Sequence, residues 1–129
     1  MIIGIGSDIV DMRRIGRLLE RHGERFLRRV YAPRERQAAM ALADPVPYLA
    51  RRFAAKEAMA KALGTGFGRD VSWVDICILN NERGAPEAEL CGGAARRLEA
   101  LTAAGGRARV HVSLSDEPPL ALAFVVIEA

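Results

Sequence analysis

The stretch Phe53-Ala54-Ala55-Lys56-Glu57-Ala58-Met59-Ala60-Lys61-Ala62-Leu63-Gly64-Thr65-Gly66 constrains this chain more than any other. Ala, Met, Leu, Lys and Glu are strong helix formers, and no proline or β-branched residue interrupts them before the glycines. Gly64 and Gly66 supply the stop. The pattern predicts the second half of a central helix running from about Tyr48 to Leu63, after the break at Asp44-Pro45-Val46-Pro47. At about 100° per residue, Phe53, Glu57, Lys61 and Gly64 share one helix face. A carboxylate and an ammonium therefore point the same way, toward a glycine-bounded turn. The spacing fits a surface salt bridge worth a few tenths of a kcal/mol, and it fits a binding site.

Composition bears on that choice. Of 19 Lys and Arg residues, only Lys56 and Lys61 are lysines, and both lie in this stretch. Lysine is a compact, strongly hydrated point charge where arginine is a planar fork, so a confined anion is one reason to depart from arginine. At 129 residues the chain is expected to be one domain, 1–129, with a core of its own. A net charge of +3 fits an acidic partner or a phosphate-rich ligand without demanding nucleic acid. With one Trp, two Tyr and four Phe, a stacking platform for single strands is not expected. Cys77 and Cys91 form no zinc or disulfide pattern, no basic leader opens the chain, and the longest apolar run, Leu120 to Ile127, is too short to span a bilayer. A cytoplasmic protein with no membrane partner is the expectation.

Ile2 to Val10 reads as a strand with Ile3, Ile5, Ser7 and Ile9 on one face and Gly4, Gly6 and Asp8 on the other. The two glycines leave room for a close approach beside Asp8, which also fits a simple cap. Asp11 is the expected N-cap of a helix to about His22, with Ile15, Leu18 and Leu19 as its apolar stripe and Arg13, Arg14, Arg17 and Arg21 around it. A second arginine cluster, Arg25, Arg28 and Arg29, is interleaved with Phe26, Leu27 and Val30. The arginines are either a solvated face or a docking surface for an acidic helix. Pro33 to Leu42 is a short helix. Trp73 to Leu79 and Ala85 to Leu90 form a hairpin about the turn Asn80 to Gly84, with Pro86 marking an edge strand. A helix spans Ala94 to Ala104, with Arg96 and Arg97 an exposed pair. Arg109 to Ser115 alternates, with Val110, Val112 and Leu114 inward and His111 and Ser113 on the other face. Asp116 to Pro119 is a turn, and Leu120 to Ile127 reads as a fully buried strand. The sum is α+β, a largely antiparallel sheet packed with a long central helix.

Two carboxylates, Asp8 and Glu57, suit a hard divalent cation that keeps waters and binds phosphate oxygens. Lys61 can neutralise phosphate, and the Gly64-Thr65-Gly66 turn can bring backbone close to it. Together they suggest a diphosphate site. No G-x-x-x-x-G-K-[ST] is present, and Gly4-x-Gly6 lacks the third glycine of a dinucleotide fingerprint. His111 is either a surface residue or a phosphate donor or proton-transfer group.

Gly4-Ile5-Gly6-Ser7-Asp8-Ile9 with Arg14, then Arg52-Phe53-Ala54-Ala55-Lys56-Glu57-Ala58 with Lys61-Ala62-x-Gly64-Thr65-Gly66, then His111-Val112-Ser113-Leu114-Ser115-Asp116, resemble the three signature blocks of the holo-acyl carrier protein synthase family, the small 4'-phosphopantetheinyl transferases. The blocks keep their order and spacing across essentially the whole chain. One departure is Ala85, between Gly84 and Pro86, where the family usually has lysine; no phosphate contact is carried over to that position. The resemblance implies a reaction in which a serine hydroxyl of apo-acyl carrier protein attacks the β-phosphate of coenzyme A, giving holo-carrier protein and adenosine 3',5'-bisphosphate for fatty acid biosynthesis. It further implies Mg²⁺ on Asp8 and Glu57, Lys61 over the phosphates, and Glu57 or a water on the metal as proton acceptor. It implies a homotrimer in which His111, Ser113 and the turn at Gly84 and Pro86 face the Gly64-Thr65-Gly66 loop of the next subunit. By the same resemblance Arg14 and Arg21 meet the carrier protein. Against it stands a non-catalytic arginine-rich module binding acidic proteins or nucleic acid, which needs neither Asp8 nor Glu57.

Overall fold

The computed structural model describes residues 1–129. Ten elements follow one another: β1 Ile2–Asp11, α1 Met12–His22, α2 Glu24–Val30, α3 Pro33–Met40, α4 Val46–Ala62, β2 Ile76–Asn80, β3 Pro86–Leu90, α5 Gly92–Leu101, β4 Arg109–Glu117 and β5 Leu120–Glu128. A short 3-10 turn at Trp73–Asp75 precedes β2. The three long strands form an antiparallel sheet in the order β1-β5-β4, and β2 and β3 pair as a separate antiparallel hairpin. The α+β architecture with a central helix is thus the observed one.

α4 is central because apolar side chains, alanine above all, fill most of its faces, and two of its charged residues, Arg52 and Lys56, are buried and satisfied within the chain. From Tyr48 to Ala62 only Arg51, Glu57 and Lys61 escape burial. A helix buried on nearly every face sits inside the protein. It lies across the inner face of β1 because that face carries glycine: a Cβ on Gly4 would collide with the Ala62 carbonyl, and one on Gly6 with the Ala58 carbonyl. The close approach that the glycines permit is therefore that of α4, not of a ligand. It brings Asp8, next along the same face, against the helix.

Several expectations change. α4 begins at Val46, so Pro45 and Pro47 open the helix instead of separating it from what precedes, since proline lacks only a donor that the first turn leaves unused. The second arginine cluster is itself a helix, α2, with Phe26, Leu27 and Val30 buried. Trp73 to Asp75 is a 3-10 turn, not strand, and α5 starts at Gly92 and ends at Leu101. β4 extends through Asp116 to Glu117, leaving only Pro118 and Pro119 as the turn. β5 is not fully buried. Ala121, Ala123, Val125 and Ile127 enter the core, while Leu120, Leu122 and Phe124 stand exposed on the outer face. Eight apolar residues in a row concealed a period-2 strand.

Candidate functional site

Asp8 from β1 and Glu57 and Lys61 from α4 meet at the seam between strand and helix. The Lys61 ammonium lies 3.2 Å from Asp8 Oδ1 and donates to the Ser7 carbonyl at 2.9 Å. The expected helix pair between Glu57 and Lys61 is not made; Lys61 turns to the strand, and Glu57 is left outside any ion pair. Partial burial, and then the negative charge of Asp8, push the Glu57 carboxyl above the usual carboxylate range, with Lys61 and Arg14 pulling the other way. Of the two carboxylates beside this half-exposed lysine, only Asp8 is ion-paired. No third His, Cys, Asp or Glu joins them. Two hard oxygen donors with open positions are what a cation takes when the remaining ligands are water and phosphate.

The end of α4 forms the next wall. Thr65 and Gly66 both donate their backbone N–H to the Ala60 carbonyl at 3.2 Å, and Gly64 donates to Lys61 at 3.0 Å. Gly64 and Gly66 take φ of 76° and 62°, a region where a Cβ is strained. Arg97 is not the free surface residue its neighbour Arg96 is. It is half-buried, and its Nε donates to the Leu63 carbonyl at 2.9 Å, fastening α5 to this end of α4.

His111 and Ser113 lie elsewhere. Ser113 pairs across the sheet with Phe124, which pairs with Ser7, whereas Asp8 shares its face with Ala123 and Leu114. His111 and Ser113 are thus on the outer face, behind the sheet from Asp8 and Glu57. Gly84, with φ of 83°, and Pro86 belong to the β2–β3 hairpin. One chain therefore carries two separate sets of the expected residues. On β1 and β5 the outer face is largely apolar: Ile5 and Ile9 are each 59% exposed, beside Leu122 and Phe124. His111 Nε2 also meets Glu128 Oε1 at 2.8 Å, and that bond holds the Glu128 carboxyl below the usual range. No local pattern signals this partner, which comes from the end of the neighbouring strand β5.

Arg14, Arg17 and Arg21 stand exposed on α1 as one stripe. Arg14 lies over the Phe53 ring at 5.2 Å, and together with Arg25, Arg29 and Trp73 it borders a groove of about 340 Å³ between α1, α2 and α4. Lys56, by contrast, leaves the site altogether. It is fully buried, paired with Glu35 Oε1 at 2.6 Å, and donates to the carbonyls of Trp73 (3.1 Å) and Ile76. Glu35 accepts in turn from the backbone of Ala32 and Ile78. No spacing rule connects Glu35 to Lys56, so sequence reasoning had no means of finding that pair.

Residues 4–121 match the 4'-phosphopantetheinyl transferase superfamily. The chain is 60% identical over its full length to a holo-[acyl-carrier-protein] synthase of Methylobacterium sp. (strain 4-46), covering 96% of that protein. Its fold superposes on the crystal structure of the holo-[acyl-carrier-protein] synthase from Neisseria meningitidis with a TM-score of 0.88 and 44% identity, each chain covered completely. A holo-(acyl-carrier-protein) synthase from Bacillus anthracis in complex with CoA (3',5'-ADP) is similar at a TM-score of 0.82 and 36% identity, over 100% of this chain and 98% of that one.

Proposed function

The chain belongs to the 4'-phosphopantetheinyl transferase superfamily and, within it, to the holo-[acyl-carrier-protein] synthases, and we propose that Asp8, Glu57 and Lys61 form the centre at which it works. The enzyme moves phosphopantetheine from coenzyme A to a serine of apo-acyl carrier protein. The serine oxygen forms a bond to the β-phosphorus, the bond from that phosphorus to the bridging oxygen breaks, and adenosine 3',5'-bisphosphate departs. Phosphoryl transfer needs positioning and charge neutralisation more than covalent help.

Asp8 and Glu57 are the residues to hold Mg²⁺. Bound there, the cation would offset charge on the diphosphate and on the departing bisphosphate. Lys61, anchored through Ser7 and Asp8, presents its ammonium to the phosphates from the open side. Glu57, or a water held on the metal, is placed to take the serine proton. The Gly64-Thr65-Gly66 turn receives the donor backbone-first. The observation that carries this reading is the pair of crowded carboxylates opening beside an exposed lysine.

The site is completed, in this reading, by a second copy of the chain. His111, Ser113, Gly84 and Pro86 cannot join Asp8 within one protomer if His111 and Ser113 lie behind its sheet, so they serve a neighbour's Gly64–Gly66 turn. The apolar outer face supports a homotrimer packed through Ile5, Ile9, Leu122 and Phe124. Arg14 and Arg21 take the acidic carrier protein, the product supplies fatty acid biosynthesis, and two free cysteines suit the cytoplasm. No helix is long and apolar enough to cross a membrane. Incubation with coenzyme A, Mg²⁺ and apo-carrier protein should raise the carrier's mass by one phosphopantetheine, and omission of the metal should prevent it. Transfer that persists in chelator at an unchanged rate contradicts the metal role. No transfer under any condition, with the carrier still bound, favours the non-catalytic arginine-rich module.

A further inference from the structure

Trp73 is the only tryptophan of the chain, and its surroundings join two regions that the functional reading assigns to different substrates. Phe67 stacks on the indole, ring centroids 3.9 Å apart and planes 15° apart. Phe53 of α4 lies 4.7 Å away, tilted by 34°. The buried Lys56 holds the Trp73 carbonyl at 3.1 Å. Arg14 in turn sits over Phe53. A continuous stack therefore runs from Arg14 through Phe53 and Trp73 to Phe67.

Its two ends differ in purpose. Phe67 directly follows Gly66, so its ring position and the shape of the Gly64–Gly66 turn are set together. Trp73 and Phe53 border the groove that Arg14, Arg25 and Arg29 surround. Between the ends, residues 67–70 span two anchored points: the Gly64–Gly66 turn, bonded to the Ala60 and Lys61 carbonyls, and the buried Val71. Gly68, Arg69 and Asp70 are exposed, Phe67 is the only apolar side chain of the four, and one backbone bond, Gly68 to Val71 at 3.1 Å, closes the loop. A stretch with so little buried side chain opens at low cost, and the Phe67–Trp73 stack is what docks it. Stacked aromatic pairs add to simple burial and fix relative orientation.

We propose, resting on the functional reading above, that Phe67 and Trp73 are positioning residues that couple coenzyme A binding at the Gly64–Gly66 turn to carrier-protein binding in the arginine groove. Donor held against the turn fixes Phe67 on the indole and so sets one wall of the groove. Carrier protein covering that wall favours the same docked segment. Both ligands bias one element, so each tightens the other, and by the same factor.

The test uses coenzyme A with Mg²⁺ and an apo-carrier protein whose acceptor serine is replaced by alanine, so that both ligands bind without turnover. In the unmodified enzyme, Trp73 emission should respond to coenzyme A alone, and coenzyme A should tighten carrier binding at least about fivefold. Phe67→Ala should abolish that factor while coenzyme A alone still binds. Phe67→Leu, which keeps an apolar contact but cannot stack, should do the same even if the alanine variant folds poorly. Phe67→Tyr should restore the coupling. A coupling factor unchanged in Phe67→Leu, or absent from an unmodified enzyme that binds both ligands, overturns the proposal and leaves the functional reading intact. An unmodified enzyme that binds neither ligand overturns both.

Discussion

Lys56 and Lys61 sit little more than a turn apart on α4, and their surroundings are opposite. Lys56 has no exposure, a carboxylate partner in Glu35, and two carbonyls to donate to. Arg52, also buried, is satisfied in the same way by the Ile78 carbonyl, Asn80 and the Tyr48 ring. Every charge in that region is answered within the chain. Around Lys61 the balance is different. Its side chain is 53% exposed, it serves Asp8 and Ser7, and Glu57 beside it has no partner. A charge buried and fully matched holds the fold together; charges crowded at a surface and left unmatched await something from outside. The concentration of lysine in one helix thus has two causes, not one: a compact ammonium fits between Glu35 and two carbonyls as readily as it fits a phosphate.

The largest expected difference lies in what each region loses. Asp8→Ala and Glu57→Gln should each cut transfer by about a thousandfold or more, as removal of groups that stabilise transition-state charge does, while circular dichroism and thermal midpoint stay near wild type. Lys56→Ala should do the reverse, unfolding the protein more easily by about 3–5 kcal/mol because Glu35 is left buried and alone. If Lys56→Ala keeps its stability, the contrast between the two regions is broken.

Next in size, Glu35→Leu with Lys56→Met should recover only part of that stability, since the apolar pair removes the lone buried charge but takes their side-chain partners from the Ala32 and Ile78 N–H groups and the Trp73 and Ile76 carbonyls; chemical denaturation of the double variant measures it. A smaller effect is expected on the rim. Arg14→Glu with Arg21→Glu should raise KM for the carrier protein about tenfold, flatten its salt dependence and leave KM for coenzyme A unchanged. The control is charge reversal at Arg96 and Arg107, both exposed; Arg97 is unsuitable because it ties α5 to α4. Equal loss in the control reduces the effect to net charge. Smallest of all, a thiol reagent should modify the exposed Cys91 at once and spare Cys77, whose thiol is pushed up to about 11 by burial and then by the Glu35 charge. Rapid labelling of Cys77 in the native protein contradicts a closed Glu35–Lys56 region.

What the sequence made legible was whatever is local. The helix formers ending at Gly64, the alternation from Arg109 and the Asp11 cap each act within a turn or a strand, and each forms as read. Asp8, Glu57 and Lys61 were legible as a set through the resemblance and through their chemistry. The partners that decide each lysine's role were not. Glu35 reaches Lys56, Lys61 reaches Asp8, and Glu128 reaches His111 only after helices and strands have packed. The open face of β5 is hidden for the same reason: an unbroken apolar run does not say that one face will stay uncovered in a single chain.

Glu57 serves a ligand and not the fold in this reading, and the unfolding free energy of Glu57→Gln without metal tests that most directly. The folded-state pKa of Glu57 lies above its ordinary value, so the folded chain holds this proton more tightly than the unfolded one. Its contribution therefore costs stability as pH rises through the ordinary carboxylate range to that raised value, and the cost persists at pH 7. Removing the charge should leave the metal-free protein at pH 7 as stable as wild type or more so, with the difference vanishing toward acid pH, although transfer is lost. A variant less stable than wild type by more than about 2 kcal/mol, the cost typical of breaking a needed buried contact, would make Glu57 a structural residue and contradict the account.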